Sequence, residues 1–112
     1  NICTNQALNA LASTIYLSLL GKTGLQNVAA RSYKNAHTLC NKLEAVGFRL
    51  LNDKPFYNEF LVQTPVPVET LNARLQDAGM LGGLELDKNK WLLCATEMLD
   101  EKDIEKFVEI VK

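Results

Sequence analysis

This sequence is short of the residue types that most directly announce chemistry. It holds one His, His37, and three Cys, Cys3, Cys40 and Cys94, spread over 112 residues. There is no CxxC pair, and a single His cannot complete a zinc ligand set, so no metal site is expected. An odd, low Cys count without a signal peptide suits a reducing compartment, with the cytoplasm as the default. The formal net charge is −1, with Lys and Arg scattered, which leaves no electrostatic footprint for nucleic acid. The longest apolar run, Ile15 to Leu20, is broken by Ser18 and is far too short to span a bilayer. Repeats, low-complexity tracts and linkers are missing too, and the first residue is Asn rather than Met.

What is present reads as one α+β domain over residues 1–112. With 47% apolar and 22% charged residues, the chain has an ordinary globular balance and enough length for its own core. Its first helix is unusual. Ile2, Ala7, Leu8, Leu11, Ala12, Ile15, Tyr16, Leu19 and Leu20 follow helical spacing, and Ala10 and Leu17 widen the stripe around the cylinder. A helix apolar on nearly all sides is buried on more than one of them. Little chain is left to cover the second side, so residues 1–20 are expected to be a connector that packs on a further body.

Gly21-Lys22-Thr23-Gly24 ends that helix and starts a second, with Thr23 as N-cap. The second carries Leu25, Val28, Ala29, Ala36, Leu39, Cys40 and Leu43 on one face and stops at Gly47. A short turn between the two predicts an antiparallel or crossing pair. The period then changes. Phe48 to Leu51 is a short strand, Asn52 to Pro55 a turn, and Tyr57 to Gln63 a strand with Phe60 and Val62 on one face. Pro67 opens a third helix with Leu71, Leu75 and Ala78 on its stripe, closed by Gly79. Gly82 to Leu86 leads through a turn to Trp91–Thr96, whose nearly continuous apolar run predicts a strand covered on both faces. Asp100 caps the last helix, with Asp103 three residues on, Leu99 stapled to Ile104, and a stripe of Ile104, Phe107, Val108 and Val111. The predicted order is α-α-β-β-α-β-β-α, helices layered on a small sheet.

No constellation rises to a catalytic site. Gly79 to Gly83 lacks the spacing of a phosphate loop and precedes no helix, so it reads as a helix C-cap and a turn. His37, mid-helix, reads as structural or surface. Cys40 and Cys94 read as small core residues. Glu59 and Glu97 each sit in or at the end of an apolar strand, and paired carboxylates do acid–base work when a third group joins them. An interface or sheet-edge charge is the favoured reading. None of the nine Lys lies at an apolar strand end, where burial would activate an amine. Catalytic, cofactor-binding and metal-binding residues are therefore all given as none.

Several stretches nevertheless resemble one family in order. Asn1-Ile2-Cys3-Thr4-Asn5-Gln6-Ala7-Leu8, then Leu17 to Gly24, Asn58-Glu59-Phe60, Gly82-Gly83-Leu84 and Cys94-Ala95-Thr96-Glu97-Met98 are similar to landmarks of the C-terminal region of glycine cleavage system P-proteins. The resemblance runs over essentially the whole chain, and Asn5 suggests subunit 1 of the two-subunit bacterial form. It implies the small C-terminal domain of an aminotransferase-like, fold type I pyridoxal-phosphate enzyme. The implied parent activity is that of glycine dehydrogenase: glycine is decarboxylated and the aminomethyl group passes to the lipoyl arm of the H-protein. Implied partners are the large domain of the same subunit, subunit 2 and the H-protein, and an isolated chain is expected to self-associate.

The Schiff-base Lys of such enzymes belongs to the large domain, in split forms of subunit 2, so no Lys here inherits it. Related aminotransferases clamp the substrate carboxylate with an Arg on the strands of this domain, whereas Trp91 to Met98 contains none. An unclamped carboxylate suits loss as CO2, unless Arg31, Arg49 or Arg74 takes that role. Asn1, Cys3 and Thr4 are placed near the cleft or subunit boundary without a catalytic role. Two alternatives stay open: the small domain of another aminotransferase-like enzyme, and a free-standing α+β interaction module.

Overall fold

Ala36, Leu39, Cys40 and Leu43 recur at helical spacing, and all four are buried against a four-stranded sheet. They belong to the first element of a computed structural model that describes residues 6–112. Helix α1 (Ala7–Ala45) is followed by strands β1 (Arg49–Leu50) and β2 (Glu59–Gln63), helix α2 (Val68–Asp77), strands β3 (Leu84–Asp87) and β4 (Lys90–Cys94), and helix α3 (Glu101–Val111). The sheet runs β1-β2-β4-β3 and every pairing is antiparallel. Strand β2 pairs with β4 from Glu59↔Cys94 to Gln63↔Lys90, so the chain passes through α2 and the edge strand β3 before closing the centre. This is the expected α+β arrangement.

The two helices expected before the sheet are the two halves of the α1 span, broken at Gly21, whose φ of 61° and ψ of −174° are non-helical. That combination is essentially closed to residues with a Cβ, so a glycine marks the break. The expected antiparallel or crossing packing is not found. All buried residues of α1 lie from Ser32 onward, and residues 6–19 are exposed throughout. Thr23 lies inside the span rather than at a cap. Leu25 and Ala29, expected on the buried stripe, are exposed and Val28 is half-buried, because the sheet and α3 cover α1 only from Ser32. The Cα radius of gyration of 16.8 Å reflects this protrusion; a compact chain of this length has about 13 Å.

Helices α1 and α2 end alike. Phe48 N–H bonds Leu43 O at 3.1 Å and Gly47 N–H bonds Glu44 O at 3.2 Å; Met80 and Gly79 repeat the pattern on Leu75 and Gln76. These are Schellman motifs around left-handed glycines, Gly47 at φ 99° and Gly79 at φ 72°. Helix α3 starts with the anticipated capping box: Asp103 N–H donates to Asp100 Oδ1, and Asp100 N–H donates to Asp103 Oδ2, both at 2.9 Å.

All three helices contribute to the core on one face of the sheet. Phe60, Val62, Trp91 and Leu93 point into it with Leu71, Leu75, Ile104 and Phe107, and Trp91 stacks between Phe48 and Phe107. Strand β4 alternates, with Trp91 and Leu93 inside, Leu92 half-buried and Cys94 exposed. The expected double coverage of this strand is thus corrected: helices lie on one side, and on the other Leu92 is the neighbour of Leu61 and Leu84.

Candidate functional site: an open helix face and an anchored loop

The largest surface feature is the half of α1 before Gly21. At 100° per residue, Leu8, Leu11, Ala12, Ile15, Tyr16 and Leu19 fall within one half of the circumference. Leu8 is 78% exposed and Leu19 82%. Two of the helix's hydroxyls are turned onto their own backbone: Thr14 Oγ1 donates to Ala10 O at 2.8 Å, and Ser18 Oγ to Thr14 O at 2.7 Å. Hydroxyls satisfied in this way do not oppose removal from water. Ile2, which the sequence placed on the same stripe, lies outside the described residues, as do Asn1, Cys3, Thr4 and Asn5.

The second feature is the loop between β4 and α3. Asn35, buried on α1, donates through one amide nitrogen to Thr96 O and Leu99 O, each at 2.9 Å. Arg31 reaches Leu99 O at 3.3 Å, and Ser32 Oγ donates to a Glu97 carboxylate oxygen at 3.3 Å. Three side chains on one face of α1 therefore fix Thr96 to Leu99 and leave Met98 79% exposed at the tip. Beside this loop lies a groove of about 390 Å³, floored by Leu39, Leu93, Ile104 and Phe107 and rimmed by Leu81, Leu84 and Cys94.

The carboxylates singled out in the sequence are separated in role. Glu59 sits opposite Cys94 on the exposed sheet face, whereas Glu97 accepts from Ser32. Cys94 corrects its reading as a core residue: it is exposed, Asn58 Nδ2 lies 3.5 Å from its sulfur, and burial followed by the Glu59 charge raises its thiol pKa. Cys40 is buried as expected, and its pKa rises from 9.0 to about 11 through desolvation and then Glu44. His37 is structural, with Nε2 3.1 Å from Phe56 O and its ring between Tyr33 and Phe56. Gly82 and Gly83 pack as a turn; a Cβ on Gly83 would collide with Leu92 O and sit 2.8 Å from Trp91 Nε1. Among the described residues no group of three His, Cys, Asp or Glu side chains could hold a metal, and no helix is long and apolar enough to cross a membrane.

Of the three Arg, Arg31 holds the loop, Arg49 bonds Gln63 Oε1 at 2.6 Å, and Arg74 is exposed on α2. Every Lys is exposed except Lys42, which is half-buried and 3.5 Å from Glu105. No amine is thus enclosed in the way a cofactor-linked lysine requires. The sequence reading missed Ser32 and Asn35 and named Arg31 only as a possible carboxylate clamp. A signal was present, since two polar residues at 32 and 35 share the helical face of Ala36 and Leu39.

These features describe a domain that offers apolar surface and a fixed loop. A family model described as "Glycine cleavage system P-protein" matches residues 1–111. The chain belongs to the glycine cleavage system P-protein family. Similar curated relatives are the probable glycine dehydrogenase (decarboxylating) subunit 1 of Thermomicrobium roseum, 42% identical over all of this chain and 27% of its own length, and that of Exiguobacterium sibiricum, 40% identical over 96% of this chain and 25% of its own. The chain therefore spans about a quarter of the relatives it matches. A crystal structure of the glycine decarboxylase (P-protein) of the glycine cleavage system, in inhibitor-bound form, superposes with a TM-score of 0.88 at 36% identity, covering 99% of this chain and 26% of that one. A NifS-like protein superposes at 0.66 over 78% of the chain with 16% identity, a likeness of fold alone. The α+β class and its place among aminotransferase-like P-proteins are as the sequence implied.

Proposed function

We propose that this chain is the small C-terminal domain of subunit 1 of glycine dehydrogenase (decarboxylating), with residues 1–20 as the connector to a large domain. The observation that carries the reading is the pairing of the P-protein match over residues 1–111 with the apolar helix left open before Gly21. In the parent enzyme, subunits 1 and 2 act with pyridoxal phosphate to decarboxylate glycine and pass the aminomethyl group to the lipoyl H-protein, in the cytoplasm. The residues of this chain do not fit a cofactor-holding role, because no lysine is enclosed. The contribution of this domain is surface: the α1 stripe docks on the large domain, and the Asn35-anchored loop holds Met98 and Leu99 in a fixed position. No Arg on β4 is available to clamp a carboxylate, which leaves substrate anchoring to other parts of the enzyme.

The test is a chimera. This chain replaces the matching quarter of the Thermomicrobium roseum subunit 1, and the product is assembled with subunit 2, H-protein and pyridoxal phosphate. Release of CO2 from labelled glycine is expected, while the 112-residue chain alone releases none. A chimera that assembles but is inactive would overturn the reading, as would glycine-dependent CO2 release by the chain alone. The alternative of another aminotransferase-like enzyme is disfavoured by the gap between 36% and 16% identity in the two structural matches.

A further inference from the structure

We propose that the groove between the Gly82–Gly83 turn and Leu99 binds a small cationic molecule, a primary ammonium carried on an apolar body. The site uses no part of the helix before Gly21 and does not depend on the function proposed above. Topology opens it. Strand β3 begins at Leu84, opposite Leu92, so Leu93 and Cys94 of β4 run past its end with no ladder partner on that side. The gap is floored by Leu39, Leu93, Ile104 and Phe107 and measures about 390 Å³, the scale of a small-molecule site. A protein partner would draw ~800 Å² from each side, far more than this concavity offers.

Both walls are braced by side chains from neighbouring helices. On one side Asn72 Nδ2, from α2, donates to Gly83 O at 3.2 Å; on the other Asn35 Nδ2, from α1, holds Leu99 O at 2.9 Å. Gly83 has no room for a Cβ, which would meet Leu92 O and the Leu93 side chain, so the turn sits tight on β4. Walls already in place cost a ligand little to organise.

Charge selects the ligand. Among the described residues lining the groove, Glu59 and Asp103 carry charge and no Lys, Arg or His joins them. The ion pairs among the described residues, Lys42–Glu105, Lys90–Asp87 and Lys112–Glu109, leave both carboxylates without a cation. Asp103 accepts from Asp100 N–H through Oδ2, so Glu59 is the less committed of the two. Its field reaches the rim: after burial, the Glu59 charge is the second cause of the raised pKa of the Cys94 thiol. A carboxylate beside apolar surface attracts a cation and repels an anion. An ammonium on an apolar body answers both features of the groove.

Amide chemical shifts of the whole chain test it, in titrations at pH 7 with phenylbutylamine, phenylbutanol and phenylbutyrate, which share one apolar body. The amine is expected to shift Gly82, Gly83 and Leu99 with a roughly millimolar dissociation constant. It should bind about two to five times tighter than the alcohol, the worth of a partly exposed ion pair, and the carboxylate should bind weakest. Glu59→Gln should remove most of the amine's advantage and leave the alcohol's affinity unchanged. Leu81→Lys, at a 94% exposed rim position, should weaken the amine and strengthen the carboxylate. Absence of shifts at several-millimolar amine overturns the proposal. So does equal or tighter binding of the carboxylate, a preference that survives Glu59→Gln in full, or shifts confined to the helix before Gly21. Shifts of Gly83 and Leu99 on concentrating the chain without ligand would make a second copy the occupant, and overturn it equally.

Discussion

Replacing Asn35 probes the buried polar anchor between α1 and the loop before α3. Its amide nitrogen serves Thr96 O and Leu99 O together at 2.9 Å each, and the residue is 8% exposed. In Asn35→Ala each carbonyl keeps only a longer bond, Leu99 O from Arg31 at 3.3 Å and Thr96 O from Leu99 N–H at 3.4 Å. Two hydrogen bonds are lost, at about 0.5–1.5 kcal/mol each, for an expected cost of about 1–3 kcal/mol. In a domain of this size each kcal/mol moves Tm by about 4–8 °C, so a fall of roughly 5–20 °C is expected. Asn35→Asp sharpens the test, because a carboxylate facing two carbonyl oxygens repels where the amide donated. Buried there, the carboxyl would hold its proton above the ~3.9 of the unfolded chain. Its extra penalty is then present above that raised value and vanishes as pH falls through it. Calorimetry should find the Asp variant less stable than the Ala variant at pH 7 and the order reversed in acid. An Ala variant melting within a few degrees of the parent, or an unchanged order at both pH values, would refute the anchoring.

Three further outcomes follow from the same geometry. In a Cys3→Ser background, a thiol reagent at mild alkaline pH should modify Cys94 and spare buried Cys40, and Glu59→Gln should speed Cys94 by removing the second cause of its raised pKa. Because folding lifts Cys40 from 9.0 to about 11, the unfolded chain releases that proton first, so urea titrations should find stability falling as pH rises through this window. Asp100→Ala removes the acceptor for Asp103 N–H and should cost about 1 kcal/mol in a thermal melt, most of it restored by Asp100→Ser.

Local signals carried most of the fold. Gly47 and Gly79 mark helix ends because only a left-handed residue closes a Schellman motif, and Asp100 with Asp103 marks a start because their side chains answer each other's backbone. Two errors share one cause. Leu25 and Ala29 continue the apolar period of Leu39 and Leu43, and Leu92 and Cys94 continue the run begun at Trp91. Periodicity reports which side chains tolerate burial, whereas the extent of the sheet and of α3 decides which are covered. The anchored loop was illegible for a different reason. Asn35 acts on carbonyls 61 and 64 residues away, and nothing local to position 35 names those acceptors. The P-protein resemblance, by contrast, lay in short ordered stretches that needed no tertiary information.

The two halves of α1 differ in what keeps them helical. From Ser32 to Leu43 the helix is held by its buried stripe and closed by Gly47. Before Gly21 it has no acidic residue in its first turn, no capping bond from the side chain of its N-cap Gln6, whose Oε1 accepts from Asn9 Nδ2 at 2.8 Å, and no burial over residues 7–19. A helix of about 12–15 residues is marginal in water on propensity alone. Order in this segment is therefore conditional on a covering surface, and the energy of docking must supply the cost of ordering. Gly21 makes that dependence local. Its non-helical φ and ψ put a kink between the halves, so unwinding of residues 7–20 need not propagate into the stripe that holds Thr96 to Leu99. Binding at the helix can thus be gained or lost while the anchored loop keeps its geometry.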